Sequence, residues 1–163
     1  PSLSFLILIM ALAMDAKSLI DGEKYGVMWV MFIFLGFSLS SYVYVTGFAF
    51  KNFNKAQSAT FYGNFAIGFL GSIIVTTLRF IDATESATHP IAYILRIFPT
   101  FSICYGMFNL INMESIQRFT NSAKTLSPWD MEVAGGDVLM LALMAIVYTV
   151  ILIVIEYNRN KGG

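Results

Sequence analysis

The sequence predicts an all-α integral membrane protein: a polytopic helical bundle of about four transmembrane helices plus a Pro-broken re-entrant helical hairpin. Three observations predict it. Of 163 residues, 57% are hydrophobic and only 12% are charged, with a mean hydropathy of +0.71, whereas soluble domains carry about 25% charged residues. Apolar runs of spanning length recur between short polar loops. The apolar segment Ile91 to Ile111 carries Pro99 near its middle and Gly106 beyond it. Pro99 removes a backbone donor and collides with the preceding turn, so one straight helix is disfavoured there. The segment is then either a kinked spanning helix or a helix pair that dips into one leaflet and returns. In either form, its broken backbone needs protein or water around it.

In chain order, Leu3 to Met14 is apolar but short for a span. It reads as the end of a helix whose beginning precedes this segment, which suggests a fragment of something longer. Asp15 to Tyr25 is a polar connection with an Asp21-Gly22 turn signal. Gly26 to Phe50 contains no charge and is the clearest transmembrane helix. Gly36, Ser40 and Tyr44 recur on it every fourth residue, a small-xxx-small step that suits close helix packing or, on a sharper reading, a polar groove for a lipid headgroup.

A short loop from Lys51 to Thr60 leads into the next span, Phe61 to Ile81. Asn64, Gly68, Ser72 and Thr76 form a narrow stripe down one of its faces, suited to docking on the Gly36/Ser40 face of the preceding helix. Asp82 to His89 reads as a polar loop, with Pro90 in the first turn of the next helix. Asn112 to Asp137 is the longest polar stretch, and Ser127-Pro128-Trp129 suits an interfacial entry. Val138 to Tyr157 is the last span, closed by Glu156, Arg159 and Lys161. Trp129, Glu156 and Arg159 are the candidate interface anchors.

Orientation follows from charge. The 51–60 loop has Lys51 and Lys55 and no acid, which places it on the cytoplasmic side. If 91–111 re-enters, Arg159 and Lys161 join that side; if it spans, they do not. The charge rule favours re-entry. So does Arg96, because an arginine at the bilayer centre costs about 2.5–3.5 kcal/mol. On a re-entrant arm its head can snorkel to the outer interface. On a spanning helix it needs an acidic partner, and the apolar interiors of the other spans offer none.

With the spans placed, the pattern resembles the C-terminal part of a transmembrane domain from the A subfamily of ABC transporters, the lipid exporters. The resemblance covers roughly residues 26–157. It rests on the helix GFSLSSYVYVTGFAFKN, on Phe98, Pro99, Phe101 and Gly106 as an FP-x-F-x4-G motif, on Trp129, Asp130, Gly135 and Asp137 before the last helix, and on the closing Ile155-Glu156-Tyr157. The sequence departs from the family where prolines are replaced by Ser41 and Val45, at Thr100 after Pro99, and in a longer Trp-Asp to Gly spacing. The resemblance implies a domain in which 3–14 ends the third helix, 26–50 is the fourth, 61–81 the fifth, 91–111 the outer hairpin and 138–157 the sixth. It implies gate candidates Arg96, Phe98, Pro99, Phe101 and Gly106, with Gly36, Ser40, Tyr44, Asn64, Gly68, Ser72 and Thr76 as helix-packing or lipid-path residues. It also implies membrane lipids, the other transporter half and nucleotide-binding domains as partners within the same longer chain, with ATP and Mg bound on those domains.

The chemistry of the chain itself is sparse. No G-x4-G-K-[ST] phosphate loop, H-E-x-x-H or G-x-S-x-G pattern occurs, so no cofactor and no catalytic or metal site is expected on this segment. His89 reads as a surface residue, Cys104 as a small packing residue, and Phe98, Phe101, Tyr105 and Phe108 as lipid-facing or packing aromatics. Zero formal net charge argues against nucleic acid as a partner. Two functions remain: the membrane path and outer gate of an ATP-driven lipid transporter, or a non-transporting membrane scaffold.

Overall fold

A computed structural model describes residues 22–50, 52–81, 85–119 and 126–161. The apolar stretch 3–14 lies outside the described residues. Among those described there is no strand, and three helical stretches are long and apolar enough to cross a membrane.

The first is α1, Gly22–Phe48. The second is continuous from Asn54 to Arg79 but is built from three pieces: α2 (Phe53–Gly63), a π-helical segment (Asn64–Leu70) and α3 (Gly71–Arg79). Helices α4 (Glu85–Leu95) and α5 (Pro99–Ile111) form a broken pair. A short α6 (Met113–Phe119) and a turn region lead to the third span, α7 (Gly135–Lys161). All three helices start earlier than hydropathy alone indicates, while the first two end at Phe48 and Arg79, short of the expected Phe50 and Ile81. Residues 85–89, expected as loop, are helical, and Pro90 sits inside α4 rather than in its first turn.

Pairings along the helices give the topology. Ser41 and Thr149 hydroxyls lie 3.0 Å apart, and the Tyr42 and Tyr148 rings meet edge-on at 5.3 Å. Nearer the helix starts, Val27 and Met31 share a buried cluster with Leu141. Numbers rise together on both helices, so α1 and α7 run parallel. The second span runs back from the loop after α1, and Arg79 at its end donates to the Glu132 carbonyl just before α7, at 3.1 Å. The segment between Arg79 and α7 thus leaves and rejoins the bundle at one end, termed the hairpin end. The loop after α1 and the C-terminus of α7 lie together at the opposite, loop end.

Within that segment, α4 has 11 residues and α5 has 13. At 1.5 Å per residue these are about 16 and 20 Å long, and neither crosses a hydrocarbon core of about 30 Å. The break falls where Pro99 takes the first helical position and Phe98 adopts an extended conformation (φ −84°, ψ 119°).

The break leaves no orphaned tip carbonyl, as a membrane interior requires. Ser102 Oγ donates to the Arg96 carbonyl at 3.0 Å and Tyr148 Oη to the Ile97 carbonyl at 2.9 Å. The Phe98 carbonyl accepts from the amides of Phe101 and Ser102.

Helix α5 is the centre of the fold. It packs on α1, on the π-helical segment, on α3 and on α7. Its buried residues alternate between two clusters. Phe101 and Tyr105 join Val75 and Ala92, while Ile103 and Leu110 join Val27, Met31, Val133 and Leu141. Cys104 is a half-buried packing residue beside the second cluster.

Candidate functional site

The chemically distinctive site lies where the hairpin meets the start of α7. The Arg96 guanidinium, at the foot of α4, donates from Nε to Asp137 Oδ1 at 2.8 Å and from Nη2 to Oδ2 at 3.1 Å. The two side chains are 4% and 0% exposed. The Tyr93 and Tyr105 rings lie 5.0 and 5.4 Å from the guanidinium carbon, so the charge meets a carboxylate and two aromatic faces.

Glycines make room for the pair. A Cβ on Gly136 would sit 2.9 Å from Arg96 Nη1, and one on Gly106 would meet the Met31 side chain and lie 3.1 Å from Asp137 Cβ. A side chain at Gly106 would displace Met31 and crowd Asp137, and one at Gly136 would crowd the Met131 carbonyl and the Arg96 guanidinium. The approach to α7 is set by a compact turn. The Ser127 amide donates to Asp130 Oδ2 at 2.8 Å, and the Gly135 amide donates to the Asp130 carbonyl at 3.0 Å. One turn further along α5, Asn109 Nδ2 donates to the Val133 carbonyl at 2.9 Å. A small cavity of about 30 Å³ adjoins the pair, with Arg79, His89 and Glu132 on its wall.

Arg96 therefore does not snorkel to an interface as expected. The reason is that α7 begins three residues before the predicted span, at Gly135. That brings Asp137 from the supposed loop into the first helical turn, buried and facing the hairpin. The acid that the apolar interiors of the spans do not offer comes from the first turn of α7, which hydropathy leaves outside the span. Sequence reasoning misses Asp137, Tyr93, Tyr148 and Asn109 as site residues. A signal exists for the first: Gly135-Gly136 directly before Asp137 marks a close backbone approach.

The remaining gate candidates gather around the tip. Phe101 is fully buried and stacks on Tyr105 at 5.3 Å, and Pro99 is buried. The half-buried Phe98 ring meets Tyr42 edge-on at 6.3 Å.

The stripe Asn64/Gly68/Ser72/Thr76 also packs, but on a different partner from the one expected. Asn64 Oδ1 accepts from Thr100 Oγ1 at 2.8 Å, and a Cβ on Gly68 would lie 2.7 Å from Thr100 Cβ. Ser72 Oγ is shared between the Gly68 carbonyl and, at 3.3 Å, the Phe101 carbonyl. Thr76 is buried alongside. The stripe thus docks on α5, and the π-helical turns place it there.

By contrast Gly36, Ser40 and Tyr44 are exposed, and Ser40 Oγ merely bonds the Gly36 carbonyl at 2.7 Å. The face of α1 that packs carries Ser38 and Ser41 instead, because α7 occupies that side. Trp129 is half exposed, and Glu156 and Arg159 are exposed on the last turns of α7.

No group of three His, Cys, Asp or Glu that could hold a metal occurs among the described residues. What the arrangement does offer is mechanical. A short helix pair is held inside the bundle by two apolar clusters on α5 together with one buried ion pair and a few hydrogen bonds at its tip. Residues 2–154 match the family described as ABC-2 family transporter protein.

Proposed function

Because the chain belongs to the ABC-2 transporter family, and so is a multi-pass membrane permease component that works with nucleotide-binding components, we propose that it serves a lipid exporter of the A subfamily, with the α4–α5 hairpin as the gate at the hairpin end of the path. The observation that carries the gate reading is the buried Arg96–Asp137 pair. It ties a non-spanning element, whose arms are too short to cross, to the start of a spanning helix. The lipid reading is supported by the order of motifs from Gly36 through Glu156.

In this reading the hairpin end faces outward and the loop end, with Lys51, Lys55, Arg159 and Lys161, faces the cytoplasm. ATP with Mg is bound and hydrolysed on nucleotide-binding domains, carried in the same longer chain. Residues 1–163 contain no phosphate loop, so they do not fit that role. Their contribution is to convert movement of the spans into movement of the hairpin. When α1 and α7 shift relative to the second span, the contacts of Asp137 and Tyr148 with Arg96 and Ile97 pull on one side of the tip. Asn64 and Gly68 hold Thr100 on the other.

The test is ATP-dependent redistribution of a fluorescent phospholipid by the full-length transporter in vesicles. Pro99→Ala removes the fixed first helical residue and allows α4 and α5 to merge, drawing Arg96 away from Asp137. It is expected to lower transport several-fold at near-normal expression. ATP-independent lipid movement, or full transport by Pro99→Ala, would overturn the reading.

A further inference from the structure

At the loop end, away from the ion pair, the C-terminal half of α1 and the start of the second span enclose a cleft of about 700 Å³. Ligand clefts generally fall in the range of about 300–1,000 Å³. One wall is Val43, Tyr44, Gly47 and Phe48; the other is Gln57, Thr60, Phe61 and Asn64. Tyr44, Phe48 and Phe61 are exposed at its rim. Both walls belong to stretches long and apolar enough to cross a membrane, and the cleft lies in their turns at the loop end. Its polar groups, Gln57, Thr60 and Asn64, follow one face of the second span.

The charges around this end are one-sided. From Gly26 to Ile81 the sequence contains no acid, and the segments bordering the loop end carry Lys51, Lys55, Arg159 and Lys161 against the single acid Glu156. Lys55 lies in the first turns of α2, one residue from the cleft wall, and is exposed. An apolar cleft with the exposed Lys55 beside it matches an amphiphile with an acyl chain and an anionic head.

We propose that this cleft binds an anionic phospholipid from the leaflet at the loop end, with an acyl chain between α1 and α2 and its phosphate at Lys55. The cleft is coupled to the hairpin through one residue. Asn64 lines the cleft and also accepts the hydrogen bond from Thr100 at the hairpin tip. An acyl chain that reaches Asn64 therefore packs against the side chain that holds the tip. The proposal deepens the lipid-transport reading and rests on it for the fate of the lipid; binding itself is measured separately, so the two fail independently.

The experiment is photolabelling of the full-length transporter in phosphatidylcholine vesicles, with either phosphatidylserine or phosphatidylcholine carrying a diazirine in the acyl chain. The expected result is phosphatidylserine label on the peptide spanning residues 43–64, in excess of phosphatidylcholine label. Gly47 has nothing within 4 Å of where a Cβ would stand, so Gly47→Trp can fill the cleft without displacing the helices and should abolish that label. Lys55→Gln, which leaves the cleft open, should lower phosphatidylserine label about fivefold while leaving phosphatidylcholine label unchanged, since a basic residue near an anionic lipid surface contributes about 1 kcal/mol.

Equal labelling by the two lipids, label that survives Gly47→Trp, or label outside 43–64 would overturn the proposal. So would efficient cross-linking of a Gly47→Cys variant to another protein segment, because the cleft would then be filled by protein. Loss of lipid transport with the labelling pattern intact would sink the transport reading and leave the site standing.

Discussion

Breaking the Arg96–Asp137 pair from one side should be far more damaging than removing it from both. Arg96→Met leaves the Asp137 carboxylate at 0% exposure without its bidentate partner. Asp137→Leu leaves the guanidinium with the Tyr93 and Tyr105 rings, 5.0 and 5.4 Å away, but no counter-charge. Removing one member of a buried pair typically costs about 3–5 kcal/mol, whereas replacing both by apolar residues of similar volume is often close to neutral. The ring contacts, worth about 0.5–2 kcal/mol each, offset only part of the cost of Asp137→Leu, and a lone Asp137 carboxyl can take up a proton whereas a guanidinium cannot lose one, so Asp137→Leu is the worse single change. Arg96→Met with Asp137→Leu should recover most of the stability lost by either alone. Denaturant titration of the full-length transporter in mixed micelles, run as a double-mutant cycle, measures this. A double variant whose loss equals the sum of the two single losses would refute the claim that these groups compensate one another. With stability recovered, transport by the double variant should remain low, because an apolar contact does not exchange partners as an ion pair does.

Two further outcomes concern the packing around the tip. Gly68→Leu should destabilise the protein by about 1–3 kcal/mol or more through overpacking against Thr100, while Leu70→Ala, at an exposed position, should change stability little; equal tolerance in thermal unfolding would remove the π-helical segment from the contact. Tyr148→Phe deletes the donor to the Ile97 carbonyl and should cost about 1–2 kcal/mol, read as faster hydrogen exchange at residues 96–98 with the α1–α7 contact unchanged.

Much of the fold is legible in the sequence because bilayer physics leaves few choices. Charge-free runs of spanning length name the spans, and Pro99 names the break. The re-entrant reading rests on Lys51 and Lys55 matched with Arg159 and Lys161, and on the cost of Arg96, and the second of those arguments assumes an interfacial Arg96 that the structure does not show. Arg96 is accommodated by Asp137, a residue that hydropathy assigns to a loop because it stands at the edge of an apolar run. Helix ends are poorly marked by hydropathy, since capping residues and first-turn acids are polar wherever they lie. The stripe Asn64 to Thr76 is recognisable as a packing face from its spacing, but its partner is not. The Gly36/Ser40/Tyr44 stripe shows the same spacing and faces outward in the described residues, because spacing states that two backbones can approach, not which ones do. The π-helical segment has no sequence signature, and it changes which side chains share a face. The scaffold alternative loses ground to the family match, which makes the chain a permease component.

The central claim is that the chain between Arg79 and Gly135 enters the bundle and returns to the same side. Single cysteines at Ser58 and Asn160, and at Glu114 and Met131, all exposed, can be placed in a Cys104→Ser background of the full-length transporter and probed with an impermeant thiol reagent. The account predicts that Ser58→Cys and Asn160→Cys react from one face of the membrane, and Glu114→Cys and Met131→Cys from the other. Reaction of Ser58→Cys and Asn160→Cys from opposite faces would mean that 91–111 spans, and would contradict the hairpin, the gate and the orientation together.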